Sequence, residues 1–186
     1  MNLRLLLLAG MALAAAPPAF GDGTPATASI TILGSAAQMC HLGSASTTTL
    51  DVGTLANLSD GTLAPVADKS TTINDSWCNT ASTIGILATP LVAQGYSGSP
   101  PSGFTKAVNY TAAASGWTSP SASFTTTGDT SGGGSGSTPG TANATDPVAQ
   151  QITVTVSAFA TPGTGNRLVA DANYTGTITV TLGVKP

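Results

Sequence analysis

The sequence predicts an all-β protein, a sandwich of short strands, on three observations. Only 7% of the 186 residues are charged, against about 25% in typical domains. Glu, Lys, Gln and Arg, which stabilise surface helices, are scarce, whereas Thr and Val, which suit a pleated half-buried surface, abound. Apolar residues alternate with Thr and Ser in several short segments, and Gly, Pro, Asn and Asp clusters punctuate them.

Taken in order, the first element is not part of the sandwich. Arg4 followed by the apolar run Leu5–Ala16 and the small-x-small site Ala19-Phe20-Gly21 reads as a signal peptide, residues 1–21. A rival site at Ala14-Ala15-Ala16 would place Pro17 after the cut. No later run reaches the roughly eighteen apolar residues of a membrane span, so an exported chain without a span is expected. In "ATASITILGSAAQMC", Ala26, Ala28, Ile30 and Ile32 share one face and Thr27, Ser29 and Thr31 the other, the pattern of a half-buried strand. No tight turn folds it back on a neighbour, so its partner is either its own sheet or another chain.

Further strands are expected at 47–56, with Leu50 and Val52 inward, and on both sides of Cys78, carrying Ile73, Trp77 and Ile84–Leu87. Others fall at 104–112, with Val108, Tyr110 and Ala112, and in a hairpin over 114–127 with Trp117 and Phe124. Residues 57–70, with Asp60-Gly61 and Pro65, read as a polar loop. Residues 128–147, rich in Gly and Ser, bring little apolar surface to bury and read as a flexible loop. Two clear strands follow. Ile152, Val154, Val156 and Ala158 alternate with Thr and Ser, then Tyr174, Ile178, Val180 and Leu182 alternate with Thr.

Charge and side-chain inventory exclude whole classes of function. Without Arg4, four cations face eight anions, all Asp, so no basic surface exists for nucleic acid. The chain has one His and no Glu, and no nucleophile elbow, phosphate loop or zinc-protease motif appears. No catalytic residue, metal site or cofactor is expected. His41 beside Cys40 is a poor nucleophile pair, because consecutive strand residues point to opposite faces. Asp51, Asp60, Asp68 and Asp75 are too dispersed for a calcium loop and suit turns. The five Asn-x-Ser/Thr triplets, at Asn57, Asn74, Asn109, Asn143 and Asn173, are ordinary in a chain this rich in Ser and Thr. Cys40 and Cys78 in an exported chain favour one disulfide over two free thiols or a metal pair.

The features form an order: an alternating segment with Gly34, then Cys40, "LDVGTL", the second Cys in "INDSWCNTASTIGI", and the C-terminal alternation. This resembles the major pilin subunits of the chaperone–usher pathway and their relatives in the spore coat protein U group of secreted proteins. The chain departs from that family in ending "TLGVKP" without a near-terminal aromatic. The resemblance implies a pilin-like domain over 37–186, an immunoglobulin-like β-sandwich lacking one strand. Residues 22–36 would be an N-terminal extension whose Ala26, Ala28, Ile30 and Ile32 complete another subunit by strand addition. Gly34 would either belong to that donor strand or mark where it hands over to the subunit's own first strand.

On that resemblance the protein is a structural subunit of a bacterial surface fibre, pilus or coat. It would be secreted via the periplasm to the cell surface or fimbrium. Its partners would be copies of itself or related subunits, with a periplasmic chaperone covering the exposed edges and an outer-membrane usher. The alternative is a monomeric secreted module for adhesion, holding carbohydrate through Trp77, Trp117 or Tyr96.

Overall fold

The computed structural model describes residues 28–186. The expected signal segment 1–21, and Ala26 of the expected donor strand, lie outside the described residues. In chain order the strands are β1 (Cys40–His41), β2 (Ser44–Ala45), β3 (Lys69–Cys78), β4 (Ser82–Ala88), β5 (Leu91–Ala93), β6 (Phe104–Thr105) and β7 (Ala107–Ser115). They continue as β8 (Ala122–Thr125), β9 (Gly140–Ala144), β10 (Val148–Ala160), β11 (Arg167–Leu168), β12 (Tyr174–Thr175) and β13 (Ile178–Val184). No helix forms among the described residues, and the fold is all-β and sandwich-like.

The larger sheet runs β1-β3-β10-β7-β5-β12, with β2 also on β3 and β8 also on β7. The smaller runs β13-β4-β9, and a parallel pair, β11-β6, sits apart. Strand periodicity places the core between the sheets: Ile73 of β3, Tyr110, Ala112 and Ala114 of β7, and Ile152, Val154 and Val156 of β10 pack toward Ile84 and Ile86 of β4. Alanines on the middle of β7 let β4 and β8 approach, and Ala112, Ala114 and Ala122 are fully buried. Trp117 closes this end, 4% exposed, with its indole Nε1 donating to Ser82 Oγ at 3.1 Å. The hydrogen bond satisfies a buried ring nitrogen that would otherwise cost stability. The disulfide Cys40–Cys78 ties β1 to β3, where the two cysteines are cross-strand partners.

Four expectations are corrected. Residues 47–56 form no strand. Thr47 Oγ1 donates to the Thr49 carbonyl, Gly53 N donates to Asp51 Oδ1 at 2.8 Å, and Gly53 has φ 78°. These local bonds compete with a ladder and win, leaving an irregular segment anchored by buried Leu55. The 128–147 stretch contains β9, which pairs along β4 and buries Ala144. Its start is an ordered turn in which Asp129 Oδ1 accepts from Ser131 N and Gly133 N.

Ala158 does not continue the inward face of β10. The register shifts between Ser157 and Ala160, Ala158 takes φ 53°, and Phe159 turns inward to stack on Tyr110 at 5.9 Å. The last alternation is two strands. It changes sheets at Gly176, where a Cβ would stand 2.7 Å from the Thr89 carbonyl oxygen. Tyr174 therefore pairs with β5 and Ile178–Val184 with β4.

Candidate functional site

β4 is flanked on both sides, by β9 and by β13, but β13 has no partner on its outer edge among the described residues. The ladder fixes which backbone groups are left over. Thr89 N donates to the Thr177 carbonyl at 2.9 Å, and Lys185 N donates to the Ala81 carbonyl at 3.0 Å. Antiparallel hydrogen-bonded pairs alternate, so the odd residues of β13 face β4. Ile178, Val180, Leu182 and Val184 therefore present N–H and C=O to the free edge.

Beside that edge lies an open groove of about 1590 Å³. Its floor is apolar, made of Ile73, Tyr110, Val154, Val156 and Phe159. One wall is Ile178 and Val180 of β13 with Tyr174; the other is the irregular segment carrying Leu50, Val52 and Leu55. That second wall is held to β3 through backbone and side-chain hydrogen bonds, with Ser46 N donating to the Thr72 carbonyl at 2.7 Å and Thr47 N to Thr71 Oγ1 at 3.2 Å. Leu182 packs against the core beyond the groove. Burial pushes the Tyr110 hydroxyl up to about 12. Burial, aided by the Asp171 carboxylate, does the same to Tyr174, whose hydroxyl donates to the Val169 carbonyl at 2.8 Å. The groove is open and elongated, with an apolar floor and a rim that includes Asp51, Asp171 and several threonines.

Residues 28–36 join no strand, and Ile30 and Ile32 are 88% and 91% exposed. Ala28 and Gly34 are exposed as well. The remaining expected residues divide. Trp117 is core, whereas Trp77 stands 37% exposed beside His41, with ring centroids 6.1 Å apart. Tyr96 is half-buried. Asp51 and Asp60 act in turns, and a backbone hydrogen bond from Thr62 holds the Asp60 carboxyl below its ordinary value. No three His, Cys, Asp or Glu side chains gather as metal ligands among the described residues.

Sequence reasoning missed the second wall and Phe159. The first depends on turns that break a good alternation, the second on a bulge that no Gly announces. Comparison with protein-family models, with curated proteins and with solved structures returned no match.

Proposed function

We propose that this protein is a structural subunit of a bacterial surface fibre or coat, assembled by strand addition. The N-terminal segment of one copy lies in the groove of the next. The observation that carries the reading is the pairing of an open apolar groove with a free β13 edge in a chain whose own Ile30 and Ile32 are exposed. Segment 26–33 has the matching chemistry: no charge, alternation, and two large side chains for the floor. Burying the isoleucines stabilises by roughly 1.5–3 kcal/mol each, and the backbone ladder on β13 adds direction and register.

The strand order supports the same reading. β1/β2-β3-β10-β7 opposite β4-β13 reads as the A-B-E-D and C-F strands of an immunoglobulin-like sandwich with its last strand absent from the F edge. An exported, disulfide-linked subunit with an exposed edge would need a periplasmic chaperone until a neighbour covers it.

Gel filtration tests the proposal, comparing the full chain after signal removal with a version that also lacks 22–33. Multimers from the first, and from the second a folded monomer that accepts a synthetic 22–33 peptide, are the expected result. Two monomers, differing only in melting temperature, would overturn it.

A further inference from the structure

The outer face of the larger sheet carries a second feature, which shares no lining residue with the groove. Across β1, β3 and β10, His41, Trp77 and Ala149 are cross-strand partners. Ala149 is a small neighbour for the indole, which is 37% exposed. Two residues before Trp77, the ladder breaks. Gln150 pairs with Ser76 and Ile152 with Ile73, so Asn74 and Asp75 together oppose Gln151. Asp75 takes φ 60°, a conformation that costs any residue with a Cβ.

The bulge hollows the sheet beside the tryptophan. The hollow is about 600 Å³, bounded by His41, Asn74, Asp75, Trp77, Gln150 and Gln151. Gln151 Nε2 donates to Asn74 Oδ1, which fixes the orientation of both amides and leaves the Asn74 N–H groups and the Gln151 carbonyl oxygen free to bond outward. Asp75 is exposed, and its carboxylate accepts from no other described side chain.

We propose that this hollow binds a neutral pyranose. A pyranose has an apolar C–H face and a rim of hydroxyls. Here one flat indole meets the face, while a carboxylate and an ordered amide pair meet the rim. A quaternary ammonium ligand would want a cage of several aromatics, and only Trp77 offers an indole here. The site is open, so single-site affinity is weak, with dissociation constants on the order of 1–10 mM. Repetition along a fibre would raise it by avidity, but the site itself does not depend on assembly.

Saturation-transfer NMR on the full chain reads the sugar protons directly. The probes are the methyl glycosides of glucose, galactose, mannose and N-acetylglucosamine, with tetramethylammonium as the competing ligand. Saturable transfer to at least one glycoside is expected, abolished in Trp77→Ala. Asp75→Gly keeps the left-handed backbone and removes the carboxylate; with melting at or above that of the wild type, it should weaken binding by about tenfold. No saturable transfer to any of the four, transfer that survives Trp77→Ala, unchanged binding in Asp75→Gly, or saturation by tetramethylammonium alone would each overturn the proposal.

Discussion

At one edge of the three-stranded sheet, β9 lies so close to β8 that a Cβ on Gly140 would stand 1.7 Å from the Ser123 carbonyl oxygen. At the other edge, β13 alternates larger apolar residues with Thr, yet faces an open groove. The first edge is sealed by small residues, Ala142 and Ala144 against Ala122, with Trp117 capping the end. The second leaves an open groove of about 1590 Å³ beside the unpaired β13 edge. The difference is thus local: one half of the sandwich has a closed, buried core, and the other has a floor and two walls around an open groove.

Substitutions should separate the two halves. Trp117→Ala empties the closed end and strands Ser82 Oγ. It should cost about 3–5 kcal/mol in denaturant unfolding of the free protein. Replacing Cys40 and Cys78 by Ala releases β1 from β3 and should cost roughly 2–5 kcal/mol. At the open half, Val180→Ala should cost only about 1 kcal/mol in the free protein, because its side chain is already half-solvated. The same change should cost more once a 22–33 peptide fills the groove. Equal losses with and without peptide would break the comparison.

Smaller effects sharpen it. Ala158→Gly relieves a left-handed alanine at the bulge that aims Phe159 and should raise stability by about 1 kcal/mol. The groove tyrosines give a pH signature. Their folded values, about 12, lie above the unfolded value near 10. They therefore favour the fold fully below about pH 10, and that contribution is lost as pH rises through about 12. Melting temperature should fall across that window, and Tyr110→Phe with Tyr174→Phe should flatten the fall.

The strands were more legible in sequence than the groove. β7, β10 and β13 show their inward faces as period-2 alternation, and the run at Ile84–Leu87 marks β4, which buries Ile84 and Ile86. β9 was hidden, because "GTANA" buries only small side chains and sits in a Gly- and Ser-rich context. The groove was legible only as chemistry without a place. Residues 26–32 carried the pattern of a strand seeking a partner, but the floor comes from three separate strands and the second wall from local turns. Trp77 and Trp117 look alike in sequence. A bulge at Asn74–Asp75 and an alanine at 149 leave one exposed, and neither carries a local mark.

The most direct test of the open half is backbone hydrogen exchange on β13 in a protein lacking 22–33, with and without the 22–33 peptide. The account predicts fast exchange at Ile178, Val180 and Leu182 in the free protein, slow exchange at Thr179 and Thr181, and strong protection of the first three when peptide is added. Peptide-independent exchange at Ile178 and Val180 would contradict it.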